Sequence, residues 1–166
     1  MGTASPPPIG PALAALLARP VSAHVASRDA ALRPHLTRAM GFRLALDGRE
    51  LTVFVAASAG ARLLADLQAN GQIAVVFSEP TTNRTLQIKG GDAAFARATA
   101  EDLRAMQAYW QAFAGEIGTL GFEPRVARTL FDFALDDIVG VRFTPRAGFD
   151  QTPGPRAGAA LETGAG

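Results

Sequence analysis

The stretch LTVFVAASAGARLLADLQANGQIAVVFSEP (residues 51–80) changes its hydrophobic period twice. LTVFVAA is rich in β-branched and aromatic residues and reads as a strand. Ser58 follows as a good N-cap. The spacing predicts a helix from there to about Ala69, with Leu63, Leu64 and Leu67 on one face. Asn70-Gly71 closes that helix, because an αL residue ends helices and Gly adopts it freely. QIAVVF is then a continuous apolar run, a strand covered on both sides.

The same stretch carries a candidate site. The strand delivers Ala57 and Ser58 to a helix start whose first turn, Ala59-Gly60-Ala61, holds no acid, and Arg62 follows. Free backbone N–H groups, a hydroxyl, room for close approach and a guanidinium together make a phosphate seat. The competing reading is a plain serine cap with Arg62 paired to Asp66 one turn on.

Downstream, RTLQIKGGDA (residues 84–93) alternates and contains the chain's only lysine, Lys89. Alternation puts Leu86 and Ile88 inward and Thr85, Gln87 and Lys89 on the opposite face. That face is either solvated or a hydrogen-bonding wall for a flat polar ring. Gly90-Gly91 predicts a bulge or bend, continued by DAAFARA.

Upstream, VSAHVAS (21–27) reads as a strand, and a loop ending at Pro34 leads to LTRAMGFRLAL. Thr37, Ala39 and Gly41 fall on one face of that strand, with Arg38, Met40 and Phe42 on the other. Asp47-Gly48 joins it to the strand of the opening stretch as a hairpin. Toward the C-terminus, Thr99 and Asp102 form a capping-box start. Leu103, Met106, Trp110, Phe113 and Ile117 then trace one apolar helix face. Pro124 opens a shorter helix with Val126 and Leu130 inward, and DIVGVRFTP is a last strand.

The order is helix, three strands, helix, two strands, two helices, strand. Six mostly antiparallel strands predict a small closed barrel with helices packed outside, a mainly β (α+β) fold. Domain boundaries follow: residues 1–11 a proline-rich tail, 12–146 the barrel, 147–166 a Pro/Gly-rich tail without regular structure.

Composition narrows the function classes. The chain has 166 residues, 48% of them hydrophobic, and a formal net charge of +1, enough for one packed core and too little charge for a nucleic-acid footprint. No aromatic cluster on the strands supports an oligonucleotide-binding barrel. There is no cysteine, hence no disulfide framework and no thiolate chemistry, in keeping with a cytoplasmic location. The apolar run Ala12–Ala18, between Pro11 and Pro20, is far too short to span a bilayer and reads as a short helix. His24 and His35 are the only histidines, without metal-ligand spacing, so no metal site is expected. No catalytic acid or base can be named from spacing.

Three segments together resemble the pyridoxamine 5'-phosphate oxidase-like family, the FMN-binding split β-barrels. They are VSAHVASRDAALRPHLTRAMGF, the opening stretch with its strand, phosphate loop and helix, and RTLQIKGGDA; the closing VRFTP is similar to the family's terminal strand. The resemblance covers roughly residues 12–98 and 138–145 and is nearer the general-stress-protein branch. It implies a six-stranded antiparallel split β-barrel with peripheral helices, forming a homodimer with FMN in clefts between the two barrels. It implies that Ser58, Arg62 and the helix start meet the flavin phosphate, beside Ala57, with Thr37 or Arg38 reaching from the preceding strand. Backbone near Ala39, Met40 and Gly41, with Thr85, Gln87 or Lys89, would meet the isoalloxazine edge.

Leu63 stands where the family often places a lysine, and Gln87 lies two residues after the family's usual glutamine position. No arginine and histidine pair near the C-terminus matches the substrate-binding pair of vitamin B6 oxidation. The implied activity is therefore a flavin reductase or oxidase of unknown small-molecule substrate, with NAD(P)H as a possible donor. The alternatives on the same barrel are a non-enzymatic flavin or haem-binding stress protein and an F420-dependent reductase.

Overall fold

The computed structural model describes residues 10–161. Helix α1 (Pro11–Leu17) opens with Pro at its first turn and buries Leu13 and Leu16. Strands β1 (Ser22–Arg28), β2 (Pro34–Leu44) and β3 (Leu51–Ala56) follow as antiparallel neighbours. Helix α2 (Ala61–Asn70) leads to β4 (Ile73–Ser78) and β5 (Thr85–Gly90). Gly71 ends α2 at φ 66°, and Gly48 turns the β2–β3 hairpin at φ 68°, both the left-handed conformation that glycine tolerates. After β6 (Ala94–Ala96) come α3 (Ala100–Thr119), α4 (Pro124–Leu130), a 3₁₀ turn (Leu135–Asp137), β7 (Ile138–Phe143) and β8 (Ala147–Asp150).

The strands form one antiparallel sheet in the order β6-β7-β3-β2-β1-β4-β5-β8. There are eight strands in the described residues, not six. The two additions are short: β6 pairs with β7, and β8 pairs with β5. The sheet curls without closing, so the closed barrel expected from the strand count is an open, split one, with β6 and β8 at its two edges. Its halves meet where Gly90 faces Phe143: a Cβ at residue 90 would lie 2.5 Å from the Phe143 ring and 2.9 Å from the Thr144 carbonyl. The bend expected at Gly90-Gly91 is therefore the place where two ends of the split barrel touch.

The expected tail after residue 146 is also different. Residues 147–150 extend the sheet as β8, and Phe149 bridges back to Ala160, so the segment is pinned to β5. Gly-Pro punctuation in TPGPRAG hides this, because pairing with a strand some sixty residues earlier leaves no local period. The expected N-terminal tail, residues 1–11, and residues 162–166 lie mostly or wholly outside the described residues.

Two cores result. Val21, Ala23, Val25, Ala39, Val53, Val75, Phe77, Leu86, Ile88 and Val141 fill the barrel, with Leu63 and Leu67 of α2 closing one end. Outside the β2–β3 face, α3 and α4 bury Met106, Phe113, Ile117 and Phe131 against Met40 and Phe54. Trp110 stacks on Phe131 at 5.6 Å between ring centroids, so the aromatic stripe of α3 is core. Thr99 and Asp102 complete the capping box, and Arg43 reaches the buried Asp102 at 3.2 Å. Among the described residues, no helix is long and apolar enough to cross a membrane.

Candidate functional site

The strand face predicted for Thr37, Ala39 and Gly41 holds for the first two and breaks before Gly41. Ala39 pairs with Val55 but Gly41 pairs with Phe54, so the register slips between them and Met40 is the extra residue of a bulge. Ala39 and Phe42 therefore both join the barrel core, while Met40 and Gly41 turn toward α3. There the Met40 carbonyl accepts from Trp110 Nε1 at 2.6 Å, and Met106 lies over Gly41.

Ser58 does not cap α2. The helix starts at Ala61 after Gly60, with no side-chain cap on its first N–H groups and no acid in its first turn. Ser58 instead sits in the turn before it and holds Asp137. Its backbone N–H donates to Asp137 Oδ1 at 3.0 Å and its hydroxyl donates to Oδ2. The backbone is tied as well, since the Ala57 N–H donates to the Asp137 carbonyl at 2.8 Å.

Beside this turn lies a crevice of about 340 Å³ lined by His35, Ser58, Gly60, Arg62 and neighbouring residues. No acid lines it. Thr37 packs beside Gly60, with its methyl 3.4 Å from where a Cβ on Gly60 would stand. Arg62 is exposed and, among the described residues, has no ion-pair partner. Asp66 is not its mate: it is buried and accepts from Ser27 Oγ at 2.6 Å, with His35 Nδ1 at 2.7 Å from the same oxygen. Those two bonds hold the Asp66 carboxyl below the usual carboxylate value. Sequence reasoning missed His35 and Asp66 as neighbours. The signal was faint: both stand where an outward polar residue is ordinary, and only the β1–β2 register, pairing Ser27 with His35, brings them together.

The remaining candidates lie on the outer face of the sheet. The register aligns Arg38 (β2), His24 (β1), Val76 (β4), Gln87 (β5) and Phe149 (β8) in one row across five strands. Arg38 donates to Ser22 Oγ at 3.1 Å and lies 5.9 Å from the centre of the Phe113 ring. It is on the other side of β2 from Thr37 and the crevice. Burial, and then the Arg38 guanidinium, lower the His24 imidazole from its ordinary value. Thr85 meets Ser78 at 2.8 Å, Gln87 accepts from Gln151 at 3.4 Å, and Lys89 lies 5.0 Å from the centre of the Phe149 ring. The polar face of β5 is thus dressed by the C-terminal segment.

A strand–turn–helix with an uncapped helix start, next to a curled antiparallel sheet with outer helices, has a known counterpart. The family described as pyridoxamine 5'-phosphate oxidase matches residues 9–142. The chain belongs to that family. No curated protein matches the chain individually. Among solved structures, HupZ of Group A Streptococcus is 19% identical, with a TM-score of 0.54, covering 90% of this chain and 99% of its own. HutZ, named the heme storage protein of Vibrio cholerae, is 17% identical with a TM-score of 0.50, covering 86% and 94%. A pyridoxamine 5'-phosphate oxidase-related, FMN-binding protein of Nostoc punctiforme is 16% identical with a TM-score of 0.49, covering 89% and 88%. At such identity the first two likenesses show the fold alone.

Within this family member, the candidate residues fall into two groups. Thr37, Ala57, Ser58 and Arg62 gather at the barrel end around the crevice. Arg38, Thr85, Gln87 and Lys89 share the outer sheet face, and Ala39, Met40 and Gly41 lie between core and α3. Among the described residues, no group of three or more His, Cys, Asp or Glu is placed to hold a metal ion.

Proposed function

We propose that this chain binds FMN through the crevice beside α2, in a cleft completed by a second copy, and works as a flavin-dependent oxidoreductase. The observation that carries the reading is the donor set of the crevice: an uncapped helix start with no acid in its first turn, the guanidinium of Arg62 without an ion-pair partner among the described residues, and His35. Such a set favours a dianion over any neutral end of a ligand. The chemistry of these donors fits the phosphate of FMN. Asp137 already holds an anionic carboxylate on Ser58, so Ser58 binds phosphate only when that carboxylate moves aside.

In this reading Arg62 and the α2 N–H groups anchor the phosphate. Gly60, with Thr37 packed beside it, lets backbone approach the ligand closely. Met40's carbonyl is engaged by Trp110, and Gln87 and Thr85 lie on the sheet face opposite the crevice, so their donors and acceptors meet the ring only as the wall that the second copy brings to the cleft. Leu36, 66% exposed, and half-buried Ala26, Ala74 and Val76 surround these polar groups, a mixed face suited to covering by a second copy. The flavin, when bound, supplies hydride and electron transfer between a donor such as NAD(P)H and a small acceptor. The protein orients it and excludes water.

The test is FMN titration followed by flavin fluorescence, with riboflavin as the control lacking phosphate. Tight binding of FMN and weak binding of riboflavin support the reading. No uptake of FMN overturns it, and a Soret band in the purified protein would put haem, or a deazaflavin spectrum F420, in its place.

A further inference from the structure

The crevice has one wall that the reading above leaves without a task. His35 belongs to β2 and is the cross-strand partner of Ser27 on β1. Asp66 of α2 reaches between them, and a single oxygen, Oδ2, takes both Ser27 Oγ–H and the His35 ring at Nδ1. Because Asp66 is held as a carboxylate, it accepts, and Nδ1 carries the hydrogen. The ring nitrogen left to exchange a proton is Nε2. The His35 side chain is 24% exposed and lines the same crevice as Arg62.

The charged groups around this crevice are few. Asp66 and Arg62 come from α2, and the Asp137 carboxylate lies on Ser58 at its edge. Asp29, in the loop between β1 and β2, acts on Asp66 from a distance and is itself paired to Arg33 at 2.7 Å. A tie between α2 and the β1–β2 pair would be complete with Ser27 and Asp66 alone. Adding an imidazole at the rim, with its tautomer fixed from behind, is the arrangement of a carboxylate-oriented histidine that meets a ligand.

We propose that His35 is a proton-exchanging wall of the anion seat, with Asp66 as its positioning residue. A phosphomonoester dianion enters, one proton passes from bulk water to Nε2, and the resulting imidazolium donates that proton in a hydrogen bond to a phosphate oxygen. No covalent bond changes. This rests on the reading of the crevice as a phosphate site, but it makes a separate claim: ligand binding is coupled to proton uptake at one named atom.

Two probes keep the claims apart. The first is inorganic phosphate, titrated into the wild-type protein at pH 8 while the His35 ring nitrogens are followed by ¹H–¹⁵N correlation. Nε2 is expected to move from an acceptor-type to a protonated shift, with Nδ1 protonated throughout. The second is FMN, titrated calorimetrically in Tris and in HEPES, whose ionisation heats differ. The difference in heat between buffers reports net proton uptake, expected to approach one proton more in wild type than in His35→Gln. Asp66→Asn keeps an acceptor for Nδ1 but loses the charge, and should weaken FMN about tenfold while leaving riboflavin unchanged.

If phosphate protonates Nε2 but FMN does not bind, the flavin reading fails and the role of His35 stands. If FMN binds with equal proton uptake in wild type and His35→Gln, the flavin reading stands and the role of His35 is overturned. If phosphate leaves Nε2 unmoved and FMN does not bind, both fall. The wild-type spectrum gives an answer even where a variant does not fold.

Discussion

Asp137 lays its carboxylate on Ser58 from 79 residues away, with Oδ1 accepting the backbone N–H at 3.0 Å and Oδ2 the hydroxyl. The chain thus places a carboxylate at one edge of the crevice beside α2. Asp137→Ala removes a negative charge and frees both donors of Ser58. FMN affinity should rise about fivefold, since these are charge-assisted bonds weakened by exposure. Fluorescence titration measures it, and an unchanged or weaker affinity would show that Ser58 takes no part.

Arg62 stands in the first turn of α2 and has no ion-pair partner among the described residues. Arg62→Ala should weaken FMN about tenfold and riboflavin hardly at all, because only the former brings a dianion. Equal weakening of both ligands would deny Arg62 a phosphate role.

Asp66 links α2 to β1 and β2, and its folded-state pKa lies below the ordinary value because Ser27 and His35 bond its charged form. The unfolded chain therefore binds this proton more readily. The stabilisation is fully present above about pH 4 and is lost as pH falls through the lower folded value. Denaturant midpoints from pH 6 to pH 2 should fall less steeply in Asp66→Asn than in wild type. Identical acid limbs would show that the carboxylate's charge does not support the fold.

Gly90 sits where the two ends of the split barrel meet. Gly90→Ala would press a methyl into the Phe143 ring and the Thr144 carbonyl, and only part of that contact is side chain that can yield. A loss of about 1–3 kcal/mol is expected in urea unfolding, as for other overpacked sites. Gly115→Ala, where nothing lies within 4 Å toward the C-terminal end of α3, should instead stabilise by up to about 1 kcal/mol.

Most of this arrangement was legible in the sequence, for local reasons. Asp47-Gly48, Asn70-Gly71 and the Thr99–Asp102 box are short-range devices, and each turns or caps where its residues predict. What was hidden depends on pairing between distant strands. The bulge at Met40 is set by the partner β3 and moves Phe42 into the barrel core. Strand β8 exists because β5 offers an edge to it, against the local Pro/Gly signal. The same limit applies to the site. Ser58 and Arg62 drew attention to the helix start, but Asp137 and the His35–Asp66 pair reach the crevice beside it through tertiary contacts with no sequence spacing to reveal them. Helix α2 starts at Ala61 and not at Ser58, whose hydroxyl is held by Asp137.

The measurement closest to the central claim is the absorption spectrum of the freshly purified protein, taken before and after addition of FMN and again on the denatured supernatant. Flavin bands released as FMN, or taken up stoichiometrically on addition, are the result expected of a phosphate seat in a family barrel. A colourless protein that leaves added FMN free in solution would contradict it.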